Sequence, residues 1–198
     1  MSETTAPQQA PVFDPKKLQE VRVATDYPME PKEFEVLYKY NAYCEMAHTN
    51  KKGYPITTPM FYVVLDDGLI YISSIKKHRH KVMDLENNPK MSVSIHNDGA
   101  NLKHQKAILV IGNAEVTYDD ALMRKVHWQI IDKYWSDVKS PELREAAFAA
   151  VHTDLRAVIK VVPEKVMSWD FGKMVQAHTP GLYFGGSYDV IKAHLADL

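Results

Sequence analysis

Two hydroxyls and a run of cations stand side by side in this chain. Ser73 and Ser74 are followed, after Ile75, by Lys76, Lys77, His78, Arg79, His80 and Lys81. A phosphate group of about −1.5 to −2 charge gives up water only for charge-assisted donors of this kind. The segment after the run reads as a helix, carrying Val82 and Leu85 inward and stopping at Asn87-Asn88-Pro89. A helix start adds backbone N–H groups and the positive end of a dipole, which also favour an anion. Ser73, Ser74, Arg79 and Lys81 are the phosphate-binding candidates, with Lys76 and Lys77 further out; a solvated basic turn is the alternative use of the same run.

Other chemistry is harder to find. His78 and His80 are closely spaced, but no cysteine or carboxylate completes a recognisable zinc set, so no metal is expected. Cys44 sits between Tyr43 and Glu45 on a predicted strand with no placed base, and reads as a small core residue. No Ser-His-Asp set, Walker sequence or G-x-G-x-x-G fingerprint is present, and no catalytic residue is assigned.

The elements that must position the basic turn are mostly β. Phe61–Leu65 and Leu69–Ile75 flank Asp66-Asp67-Gly68, a hairpin turn signal. Ala42–Thr49 reads as a first strand, turning at Asn50-Lys51-Lys52-Gly53 into Tyr54–Leu65. Pro31 opens a helix to about Tyr40, with Phe34, Leu37 and Tyr38 on one face. Met91–Ile95 and Ala107–Val116 look like further strands, and most connections along the β segments are turns rather than helical crossovers, which argues for antiparallel pairing. Asp119-Asp120 caps a helix over Ala121–Trp135 whose Leu122, Val126, Ile130 and Tyr134 form an apolar stripe. A second helix over Pro141–His152 offers an Ala face, at Ala146, Ala147, Ala149 and Ala150, for close packing. Leu155–Val162 reads as a strand, Pro163-Glu164-Lys165 as a turn, and Val166–Asp170 as a last extended piece.

The order of these parts resembles the pyridoxamine-5'-phosphate-oxidase-like, FMN-binding split-barrel family. The matching residues are Lys52-Gly53-Tyr54-Pro55-Ile56-Thr57-Thr58-Pro59-Met60, Tyr71-Ile72-Ser73-Ser74, Arg79-His80-Lys81 and Leu85-Glu86-Asn87-Asn88-Pro89, with Gly112 inside the Ala107–Val116 strand. They span roughly Glu33 to Trp169. The resemblance implies a six-stranded antiparallel split β-barrel with flanking helices, usually a homodimer with its sites at the interface. It places the flavin 5'-phosphate at Ser73, Ser74, Arg79 and Lys81. It sets Thr57, Thr58, Pro59 and Met60, on the strand Ile56–Met60, beside the isoalloxazine ring, and puts Trp169 near the cofactor of the partner subunit.

That resemblance implies an FMN-dependent oxidoreductase acting on a small-molecule substrate. Its alternatives are a reductase using the deazaflavin F420, or a flavin- or haem-binding protein without turnover, for which His178 in the tail is a candidate ligand. An F420 tail would need a basic groove, which Lys51, Lys52, Lys76, Lys77, Lys103 and Lys106 supply if their loops converge; otherwise they are solubilising lysines. The C-terminal "R-L-H-x-R" of true pyridoxamine-phosphate oxidase is missing, and Trp169-Asp170-Phe171-Gly172-Lys173-Met174 stands in its place. Vitamin B6 oxidation is therefore not expected.

Composition bounds the rest. With 198 residues, 45% apolar and a formal charge of −1, the chain can bury a real core and offers no basic field for nucleic acid. A single cysteine suits a reducing compartment. The start MSETTAPQQAPVF lacks the apolar core of a signal peptide, and no run approaches the ~20 residues of a membrane span. A cytoplasmic location is expected. Residues 1–14 read as a disordered arm, 15–170 as the barrel domain with a helical insertion at 119–152, and 171–198 as a tail with a short helix at Tyr188–Leu195.

Overall fold

A computed structural model describes residues 26–76, 80–97 and 105–178. Helix α1 (Pro31–Tyr40) begins with proline at its first turn and closes a capping box between Glu30 and Glu33. Strands β1 (Cys44–Thr49), β2 (Pro55–Met60), β3 (Tyr62–Val64) and β4 (Ile70–Ile75) follow, then α2 (His80–Asn87) and β5 (Lys90–His96). The long β6 (Lys106–Thr117) leads to α3 (Asp120–Tyr134) and α4 (Pro141–Val151), then β7 (Arg156–Asp170) and α5 (Phe171–His178).

All strands join one antiparallel sheet in the order β2-β1-β5-β6-β7-β4-β3. This is the expected split-barrel class, with seven strands in place of six. The difference arises at Phe61. The segment Tyr54–Leu65, read as one strand, divides there: β2 pairs with β1 at one edge of the sheet and β3 with β4 at the other. Phe61 itself is partly exposed and packs on Tyr43 and Tyr134, at centroid distances of 5.3 and 4.4 Å. The tight turns Asn50–Gly53 and Leu65–Gly68 close with backbone hydrogen bonds, and Gly53 and Gly68 take φ of 83° and 74°, where a Cβ is disfavoured.

Strand alternation divides the burial between two cores. Cys44, Met46, Met60, Ile70, Ile72, Val93, Ile95, Ile108 and Ile159 fill the main one, with Leu37 of α1 and Leu85 of α2 packed in. Val63, Tyr71 and Val158 face the other way, onto Met123, Val126 and Ile130 of α3, which confirms the expected stripe. Helix α3 is capped by the Asp119 side chain and α4 by Ser140.

Three expectations need correction, and the start of the tail adds an element. The Ala face of α4 does not pack closely: Ala146, Ala149 and Ala150 are exposed, and the helix docks through Phe148, stacked 4.4 Å from Trp128. Residues 163–165 are not a turn, because β6 is long enough to keep β7 paired past them. Ile111 opposes Lys165 and Gly112 opposes Pro163, so Glu164 is the extra residue of a bulge. The start of the tail is helical, since Asp170 accepts from Lys173 N at the head of α5. Lys106 is no surface lysine: it is buried, paired with Asp170 and 3.3 Å from Glu33. The segments 1–25 and 179–198, with the helix expected at Tyr188–Leu195, lie outside the described residues, as does Lys103.

Candidate functional site: the end of strand β4 and the start of helix α2

Ser73 and Ser74 close β4, and alternation sends their side chains to opposite faces. Ser74 follows Ile70 and Ile72 toward the main core. Its hydroxyl is buried (3% exposed) with no hydrogen-bond partner among the described residues. A buried hydroxyl left unpaired costs about 1–3 kcal/mol of desolvation, so its retention asks for a partner.

Six residues separate Ser74 from Lys81 in α2, which is 9% exposed and donates to Sδ of Met60 at 3.4 Å. That contact ties the first turn of α2 to the end of β2. The next turn is tied to β1: Nε2 of His48 lies 3.4 Å from Oδ2 of Asp84, both buried, and Nδ1 of His48 has no partner among the described residues. His48 and Asp84 escaped the sequence reading. The available signal was position, since His48 occupies an inward site of β1 after Cys44 and Met46, where alternation demands a satisfied polar group. Arg79, with Lys77 and His78, lies outside the described residues, whereas Lys76 is exposed and lies 4.4 Å over the Tyr118 ring.

Ser73 belongs to a different network, on the α3 side of the sheet. Its Oγ lies 2.8 Å from Nε2 of His127, a fully buried ring, and accepts from Arg156 at 3.4 Å. Nδ1 of His127 lies 3.0 Å from Nδ1 of His152, whose Nε2 is 3.1 Å from Oδ1 of Asp120. With both rings neutral, one assignment satisfies every atom: Ser73 donates to His127, His127 to His152, and His152 to Asp120. Burial, His152 and Arg156 together push the His127 pKa down to about 4, which agrees with a neutral ring. This line leads from Ser73 to a surface cleft of about 300 Å³ lined by Asp120, His152 and Arg156. Ser73 is therefore engaged by protein groups, and Ser74 is the hydroxyl with capacity to spare.

Strand β2 lies at the sheet edge, so of the consecutive residues Thr57 and Thr58 one turns its backbone N–H and C=O away from β1. Thr57 and Pro59 are exposed, Thr58 is half-buried and Met60 is buried. Pro59, lacking an N–H, suits an edge. Trp169 pairs with Ala107 near the far end of β7, whereas Ser74 pairs with Ala157 near its start. Trp169 thus lies twelve strand residues beyond the position opposite Ser74, toward the other end of β7. Trp169 lines its own cleft of about 290 Å³ with Ser94, His96, Lys106 and Phe171. Among the described residues no cluster of His, Cys, Asp and Glu is arranged for a metal ion, and no helix is long and apolar enough to cross a membrane.

The sequence pattern of pyridoxamine 5'-phosphate oxidase matches residues 31–170. No curated protein matches the chain. Among solved structures, a conserved hypothetical protein of Mycobacterium tuberculosis is similar at a TM-score of 0.66 and 21% identity, over 82% of this chain and 96% of that one. HutZ, the heme storage protein of Vibrio cholerae, is similar at 0.54 and 17%, over 71% and 93%. A putative 5-nitroimidazole antibiotic resistance protein of Bacteroides thetaiotaomicron is similar at 0.53 and 18%, over 70% and 82%. These likenesses establish the fold, and the chain belongs to the pyridoxamine 5'-phosphate oxidase family of split barrels.

Proposed function

We propose that this member of the pyridoxamine 5'-phosphate oxidase family binds FMN between two copies of the chain and acts as an oxidoreductase on a small organic substrate. The observation that carries the reading is the Ser74 hydroxyl, buried and unpaired, at a strand end followed by the buried ammonium of Lys81. A phosphate oxygen is an acceptor of the kind the Ser74 hydroxyl lacks among the described residues, and a nearby ammonium favours an anion there.

In this reading Ser74 donates to the phosphate, while Lys81 and Arg79 neutralise it. The exposed edge of β2, at Thr57 or Thr58, offers a backbone donor to the polar rim of the flavin ring, and a donor there stabilises negative charge on the reduced ring. Met60 packs beneath and holds Lys81 in place through its sulfur. Trp169, far from Ser74 along β7, is contributed by the second copy, so each site takes one part from each subunit. Bound there, the flavin supplies two-electron transfer, and the protein binds, orients and excludes water.

The test is to identify the ligand released from protein purified from its native host, then to repeat the measurement on Ser74→Ala and on Arg79→Ala with Lys81→Ala. FMN near one per chain, lost from the double variant, is expected. Unchanged FMN affinity in that variant sinks the phosphate assignment. F420 as the ligand would keep the phosphate site and change the chemistry; haem, as in a storage protein, or no ligand would overturn the reading. FMN that binds but is neither reduced by nicotinamides nor reoxidised by acceptors would mark a carrier.

A further inference from the structure

Lys133 of α3 is half-buried and has no carboxylate partner among the described residues. Its Nζ donates to the Tyr62 carbonyl at 3.1 Å and lies 3.6 Å from the centroid of the Tyr62 ring. That same carbonyl accepts from the Tyr134 hydroxyl at 2.9 Å, so the amine is pinned by one N–H. It lines a cavity of about 430 Å³ together with Tyr40, Val63, Val64, Gln129 and Ser136. The two other charged groups on the wall are committed elsewhere: Lys39 pairs with Glu35 at 2.7 Å, and Asp132 pairs with Arg144.

We propose that Lys133 is a nucleophilic amine that condenses with small aldehydes of apolar or aromatic body entering this cavity. The nitrogen lone pair attacks the carbonyl carbon, and the carbon–oxygen π bond opens to a carbinolamine. The carbonyl oxygen then leaves as water with the two amine hydrogens, and a carbon–nitrogen double bond remains. Nothing is oxidised or reduced.

Three observations converge on this. The amine stands at the wall of a cavity large enough for a substituted ring, with Tyr40, Val63 and Val64 to receive it. Its surroundings are a carbonyl and the faces of Tyr62 and Tyr134, with no carboxylate counter-ion among the described residues. Burial accordingly brings its pKa down to about 8, whereas the ion pair with Glu35 holds Lys39 above the ordinary lysine value. Desolvated lysines without a partner are the ones that form imines. The inference stands apart from the flavin reading and survives its failure.

The test treats the full-length protein with benzaldehyde and cyanoborohydride at pH 8, followed by peptide mapping. Among the lysines, Lys133 should carry the benzyl group first, at least about ten-fold faster than Lys39, because its unprotonated fraction at pH 8 is far larger. Lys133→Arg keeps the charge and should lose the fast label. Gln129→Trp starts from an exposed position and fills the cavity; it too should slow labelling about ten-fold, with Lys133 still present. Even labelling across the surface lysines, no label at Lys133, or full labelling in Gln129→Trp overturns the proposal.

Discussion

Nδ1 of His127 lies 3.0 Å from Nδ1 of His152, so the two rings hold one hydrogen between them and His127 stays neutral in the folded protein. Its folded pKa of about 4 lies below the ordinary 6.5. Lowering the pH below about 6.5 protonates this histidine in the unfolded chain only, and stability falls until about pH 4. Between those values its contribution approaches about 1.4 kcal/mol per pH unit, the slope of one proton. Urea unfolding across pH 4–7 should show this slope, reduced in His127→Gln relative to the parent. A parent and variant with parallel profiles would mean that the ring is not held neutral.

Gly112 tolerates no side chain. A Cβ there would overlap the Val162 carbonyl oxygen and come within 2.9 Å of its carbonyl carbon, at the bulge where β7 gains Glu164. Backbone cannot swing aside as a side-chain tip does. Gly112→Ala should cost about 2–3 kcal/mol, read as a lower urea midpoint. Gly68→Ala provides a contrast: its site is spacious but has φ of 74°, so it should cost about 1 kcal/mol.

Lys106 and Asp170 form a buried ion pair joining the start of β6 to the end of β7, with Glu33 of α1 3.3 Å from the same ammonium. Asp170 also receives Lys173 N. Removing only the aspartate leaves the buried ammonium with the partly exposed Glu33 carboxylate and takes the cap from the head of α5. Asp170→Ala should therefore cost about 3–5 kcal/mol, whereas Lys106→Met combined with Asp170→Leu should recover much of it. Thermal unfolding of the two variants decides the matter; equal loss in both would show that capping of α5 outweighs the charge.

Much of the fold is legible in the sequence because local signals and burial agree. Pro31, Asp119 and Ser140 mark helix starts, and Asp67-Gly68 marks a hairpin, where the structure has them. The misreadings share one cause: long-range pairing overrode a local cue. Pro163 looked like a turn, but the length of β6 held it in the sheet, and Phe61 looked like strand interior, but its two flanks pair at opposite edges. At the candidate site, the Ser73-Ser74 pair was visible as chemistry, while their opposite duties were not. Only the arrival of His127 and Arg156, 54 and 83 residues away, distinguishes the engaged hydroxyl from the spare one.

The two halves of the proposed site can be tested for their origin. If Lys81 of one subunit and Trp169 of the other complete each site, a hybrid dimer of Lys81→Met with Trp169→Ala has one site with both defects and one with neither. Each homodimeric variant should bind FMN at least about ten-fold more weakly, while a two-tag purified hybrid should bind at parental affinity with about half the parental FMN per chain. A hybrid in which every site is weak would place Lys81 and Trp169 in the same chain's site, against their separation along β7. Parental binding by Trp169→Ala alone would remove the tryptophan from the site and leave the phosphate end, at Ser74 and Lys81, to stand on its own.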